Sequence, residues 1–233
     1  MARHRRTAVL VGALFLTATV SGLIVVAAWG PVLDTSDPLG QVMGSADQVR
    51  IGALFEIVMG LAVASIALAM YPVLRLQDET LALGYVVARA IEGAFIIVPA
   101  LTMLSLSTLG QELIGPDAVA DPATIATGVA IFAIGDWAGY TAVAIVFCLG
   151  AIMFYTSLYR ARLVPRWLSG WGLLGAIVYL PAAALAIAGR DDLATLTNIP
   201  LALNEIVLAI WLIARGFEDV HIQRADAVSA ARA

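Results

Sequence analysis

Residues 81–106, LALGYVVARAIEGAFIIVPALTMLSL, form an apolar stretch that carries two ionisable side chains well inside it, Arg89 and Glu92. About 20 consecutive apolar residues cross the hydrocarbon core of a bilayer as a helix. An ionised group near the middle of that core costs roughly 2.5–3.5 kcal/mol on insertion scales. A chain that keeps two such groups one helical turn apart therefore has a reason to keep them, and an obligation to pair them. Their i, i+3 spacing puts both on one face of the helix.

The rest of the chain has the same character. Of its 233 residues, 61% are hydrophobic and 13% are charged, whereas a soluble domain is nearer half apolar and a quarter charged. The expected fold is an all-α polytopic membrane protein, a six-helix transmembrane bundle with short interfacial helices. The spans fall at residues 7–29, 47–74, 81–106, 137–159, 167–188 and 199–214. They divide the chain into a basic cytoplasmic N-terminus (1–6), a transmembrane domain (7–216) and a cytoplasmic tail (217–233). The apolar run from residue 7 exceeds the 7–15 residues of a signal-peptide core, so it reads as a retained anchor.

Residues 30–46 read as a polar connection with a short helix from Pro38, and Ser45 with Gln48 has the spacing of a capping box. From residue 122 to 159 the helical pattern runs for roughly 57 Å at 1.5 Å per residue, about twice the hydrocarbon thickness. A break at Gly135-Asp136 is expected, leaving residues 122–134 as an outer or re-entrant helix. Pro200 is expected in the first turn of the sixth span, after an outer loop at 189–198.

All basic residues are arginines, and their distribution sets the orientation. With both ends inside, ten of them lie on cytoplasmic segments (Arg3, Arg5, Arg6, Arg75, Arg160, Arg162, Arg166, Arg215, Arg224, Arg232), and Arg50 and Arg190 lie outside. The expected location is a bacterial inner membrane with both termini cytoplasmic. Trp29, Trp137, Trp167 and Trp171 fall near span boundaries, as an interfacial belt would place them.

Several chemistries are not encoded. Cys148 is the single cysteine, and the two histidines, His4 and His221, sit in the tails. Neither a thiolate metal cluster nor an intramembrane histidine relay fits that arrangement. Gly170–Gly175 matches G-x-G-x-x-G, but no strand precedes it, so it reads as a small-residue packing stripe. No catalytic residue, cofactor-binding residue or metal-ligand set is expected, and no nucleic-acid partner.

Depth links three residues. Arg89 lies roughly 12 Å and Glu92 roughly 16 Å from the inner end of their span, and Glu205 lies roughly 15 Å from the inner end of the sixth. Arg89 is therefore expected to contact Glu205, Glu92 or both, because an unpaired buried charge is strongly disfavoured. The favoured reading is an ionic clamp between the third and sixth spans. The alternative is a small oligomeric transporter or permease-like protein, with the cluster as its ion, proton or substrate site. Glu56, Asp136 and Tyr140 fall toward the outer leaflet and are expected to line a vestibule or reach interfacial water. An intramembrane enzyme using Glu56 or Asp136 as a base is the least supported class, for want of a nucleophile or metal set. The lipid bilayer is the expected partner, and the transporter reading adds a small-molecule or ion ligand and a second copy of the chain.

Four pieces also carry a resemblance: RIGALFEIVMGLAV (50–63), VVARAIEGAFI (86–96), FYTSLYRARLVPRWLSGWGLLG (154–175) and NEIVLAIWLIARGF (204–217). Together the chain resembles the bacterial integral-membrane family known as domain of unknown function 4386 (DUF4386), over about residues 8–217. Its best marks are Arg89 and Glu92, Pro165-Arg166, and Glu205 ahead of Trp211. The resemblance implies a six-span fold of unassigned activity. Members often carry a histidine near the start of or within the fourth span, where this chain has Asp136 and no histidine, which weakens any proton-handling role that the resemblance implies.

Overall fold

The computed structural model describes residues 2–34, 38–114 and 121–218. Asp37, Asp117, His221, Arg224, Arg232 and the tail beyond Glu218 lie outside the described residues. Nine α-helices are described: α1 (Ala2–Leu33), α2 (Pro38–Gly44), α3 (Ala46–Leu74), α4 (Glu79–Leu109), α5 (Pro122–Asp136), α6 (Val143–Ala161), α7 (Arg166–Tyr179), α8 (Ala182–Ile187) and α9 (Asp191–Ala214). Two π-helical stretches, Gly110–Ile114 and Trp137–Ala142, extend α4 and join α5 to α6. No strand occurs among the described residues. Among the described residues, six helical segments are long and apolar enough to cross a membrane. The chain is a multi-pass membrane protein.

Local chemistry sets several ends. Asp78 accepts from the amide of Leu81 at the start of α4, and Asp121 accepts from the amides of Ala123 and Thr124 at the start of α5. Those bonds favour the charged carboxylate and hold Asp121 below the usual aspartate range. Arg5 of α1 donates from Nη1 and Nη2 to the carbonyls of Leu212 (3.1 Å) and Ile213 (2.7 Å), closing the C-terminal end of α9. A cation there offsets the negative end of the helix dipole. The same contact puts the N-terminus and the end of α9 at one end of the bundle.

Four expectations need correction. The 40-residue segment Pro122–Ala161 does not break at Gly135-Asp136. Asp136 and Trp137 keep right-handed helical angles, and the irregularity is absorbed by wide π turns over Trp137–Ala142. Ser45 precedes α3, but its side chain makes no capping bond, so the capping box does not form; only this one residue separates α2 from α3. The loop expected at 189–198 is mostly helix, since α9 starts at Asp191 and holds Pro200 in its interior. Trp29 is no belt residue: it is buried, and its Nε1 donates to the carbonyl of Val49.

The spans close into a ring. α1 packs on α3, α3 on α4, α4 on α6, α6 on α7, α7 on α9, and α9 back on α1. The main core fills this ring, with Phe15, Tyr85, Phe154, Tyr155 and Leu158 at its centre. A smaller core built from Val25, Trp29, Val49, Ala53, Ala100 and Met103 fills the end away from the termini. Glycines permit the tight contacts. A Cβ at Gly60 would lie 2.7 Å from the carbonyl oxygen of Gly93, and one at Gly93 would lie 2.6 Å from that of Gly60. Such spacing lets two membrane helices meet backbone to backbone.

Gly60→Val should therefore destabilise the fold by about 1–3 kcal/mol, the usual cost of overpacking, whereas Gly30→Ala meets nothing within 4 Å and should be silent. Thermal unfolding of both variants in one detergent checks this; equal melting temperatures would contradict the α3–α4 packing.

Candidate functional site

In the ring order, α4 and α9 stand opposite one another, and Arg89 connects them across the middle. Its Nη1 donates to Glu92 Oε1 at 3.0 Å on the same helix, and its Nη2 donates to Glu205 Oε1 at 3.1 Å on α9. The side chains of Arg89 and Glu92 are 2% and 3% exposed, and that of Glu205 is 18% exposed. Arg89 is thus held by both carboxylates that the depth comparison singled out.

Three aromatic rings complete the enclosure. The guanidinium carbon lies 5.1 Å from the ring centre of Phe147 (α6), 5.6 Å from Tyr85 (α4) and 5.9 Å from Phe15 (α1). A desolvated cation over an aromatic face gains about 2 kcal/mol. Tyr85 is itself fixed by stacking on Phe154 at 4.8 Å. The helices carrying these side chains approach closely because α6 and α7 present glycines: a Cβ on Gly150 would meet Ala88, and one on Gly172 would meet the Tyr155 ring. The Gly170–Gly175 stripe therefore does what small residues do in membrane helices.

Several polar atoms around the cluster have no hydrogen-bond partner. They are Arg89 Nε, Glu92 Oε2 and the hydroxyls of Tyr85 and Tyr155. Next to Glu205, Asn204 donates from Nδ2 to the carbonyl of Leu168 at 2.9 Å, while its Oδ1 stays unpaired. Buried groups of this kind cost roughly 1–3 kcal/mol each when unsatisfied. The aromatic cage, Asn204 and Tyr155 carry no motif in the sequence; only the helical spacing of Tyr85 to Arg89 and of Tyr155 to Phe147 hints at shared faces.

Glu56, Asp136 and Tyr140 occupy three different settings. Glu56 is buried on α3, on the face that carries Ala53 and Gly60, with Oε2 unpaired. Asp136 is exposed at the end of α5, and Tyr140 in the π-helical stretch packs against the main core. A separate groove of 720 Å³ runs between α4 and α6, lined by Leu83, Val87, Ile91, Leu149 and Met153 with Glu79 at one end, on the face of α4 turned away from Arg89. No group of three or more His, Cys, Asp or Glu side chains suited to a metal ion occurs among the described residues.

Residues 10–216 match the family described as Domain of unknown function (DUF4386). The chain belongs to that family. No curated protein and no solved structure matches it. The match covers all the marks of the resemblance: Arg89 and Glu92, Pro165-Arg166, and Glu205 ahead of Trp211.

Removing one member of a buried pair strands the other, at a cost of about 3–5 kcal/mol. Arg89→Ala should lose stability on that scale. The exposed pair Arg50–Asp47, at 3.5 Å with side chains 61% and 90% accessible, should contribute at most about 1 kcal/mol. Denaturant unfolding in mixed micelles separates the two; an Arg89→Ala loss no larger than that of Arg50→Ala would refute the burial argument.

Proposed function

We propose that this DUF4386 protein is a non-enzymatic integral membrane protein in which the Arg89–Glu92–Glu205 cluster is a central strut, fastening α4 to α9 across the ring. The observation that carries this reading is the enclosure of Arg89, 2% exposed between two carboxylates and three aromatic rings. A replaceable strut would cost little to exchange for apolar residues of similar size. The combined substitution Arg89→Met, Glu92→Leu and Glu205→Leu should therefore recover most of the stability that Arg89→Ala loses. A triple variant as unstable as Arg89→Ala would sink the strut reading.

A second reading is supported by the unpaired atoms of Arg89, Glu92, Tyr85 and Tyr155. A purely mechanical strut has no use for them, whereas an occluded site for a small polar solute does. Under that reading the ring is a closed translocation path with Arg89 as its plug, and a second copy of the chain is a natural partner. Solute-driven flux in proteoliposomes that is lost in a stably folded Glu205→Gln variant would favour this reading over the strut.

The membrane is proposed to be the bacterial cell membrane, with both termini in the cytoplasm. The arginine bias supports that orientation, and the Arg5 bonds to the end of α9 support placing both termini on one side. A fluorescent protein fused after residue 233 should fold and fluoresce in a bacterial host, and a periplasm-dependent phosphatase at the same place should be inactive. The reverse pair of results overturns the orientation.

A further inference from the structure

The cluster at the centre of the ring does not balance its charge. One guanidinium faces two carboxylates, so with all three ionised the site carries one net negative charge among apolar and aromatic side chains. Buried charge of that kind is expensive in protein and more so within a bilayer. Among the described residues no other cation faces the site. α4 adds Tyr85, α6 adds Cys148 and Tyr155, α7 adds Tyr179, and α9 adds the amide of Asn204. α1 contributes Phe15. On α3, Glu56 is itself acidic and lies beyond the Gly60–Gly93 contact, and Tyr71 packs against the main core.

The hydrogen-bond inventory points the same way. Glu92 is 3% exposed, yet its Oε2 meets no donor, and the fully buried hydroxyls of Tyr85 and Tyr155 meet no partner either. An ionised carboxylate oxygen without donors is the costly form in an apolar interior, and the neutral acid tolerates that isolation far better.

We propose that Glu92 and Glu205 share one proton, and that the Arg89–Glu92–Glu205 centre is a proton-binding site. Loss of that proton leaves Arg89 charged and both carboxylates ionised; uptake restores neutrality. Arg89 keeps its own proton throughout. The site exists under either reading of the function, because it follows from the charge count and not from any transported solute.

The test is infrared spectroscopy of the full-length chain in lipid nanodiscs. The E56Q variant is the background, so that buried Glu56 does not contribute. The expected result is a carbonyl band from a protonated carboxylic acid at neutral pH that disappears on alkalinisation. It should be lost in both E92Q and E205Q, since either change lets Arg89 balance the remaining carboxylate. Absence of the band, or its survival in either variant, overturns the proposal. A band that emerges only when sodium is replaced by a bulky organic cation also overturns it, because a metal ion would then hold the missing charge. If E92Q does not fold, E205Q and the alkaline titration of E56Q still decide between these results.

Discussion

A guanidinium inside a membrane must be paired, and here its partners lie on opposite sides of a ring of helices. That requirement fixes more of the architecture than any hydrophobic contact does. Among lipids, apolar residues are as comfortable on the outside of a bundle as within it, so apolar sequence alone leaves helix rotation free. Arg89 removes the freedom for α4, because only one rotation brings it to Glu205 on α9. Phe15 and Phe147 then set α1 and α6 around the same centre. Small residues at the seams let the ring close on this plug. Besides Gly60 and Gly93, Gly12 faces the carbonyl of Ala209 where α1 meets α9.

Above the cluster, toward the end away from the termini, three helical irregularities lie side by side. Pro99 lacks the amide that would bond to the Phe95 carbonyl. Gly139 of the π-helical stretch sits against its ring, and Gly135 sits against Thr102 one turn further. The short α8, begun by Pro181, packs on the same π-helical stretch. This layer separates the main core around Arg89 from the smaller core around Trp29. The smaller core lets α4 and the α5–α6 segment run longer than a hydrocarbon core of about 30 Å requires.

Much of this was legible in the sequence because membranes simplify the code. Span number followed from hydropathy, and the Arg89–Glu205 meeting followed from equal depth plus the cost of an unpaired charge. Other features were not legible, for identifiable reasons. A π turn differs from a break by one residue absorbed per turn, and Gly135-Asp136 permits both. Pro200 suits a first turn and is also tolerated inside a membrane helix whose neighbours compensate, so α9 began earlier than its proline suggested. Trp29 was placed at the interface by residue type, whereas the side chain fills the space left by Gly52, a pairing between distant positions that one sequence does not display. The aromatic cage is of the same kind, since Phe15, Tyr85 and Phe147 come from three helices.

The most direct measurement of the central claim is the energetic coupling between Arg89 and Glu205. A double-mutant cycle of Arg89→Met and Glu205→Gln, read by reversible unfolding in micelles, isolates that interaction from the effects of each substitution alone. The account predicts a coupling in the upper part of the range of about 0.5–3 kcal/mol seen for residues in contact, with the double variant less destabilised than the sum of the singles. Additive losses would mean that Arg89 and Glu205 do not meet across the ring, and the arrangement of α4 opposite α9 would have to be abandoned.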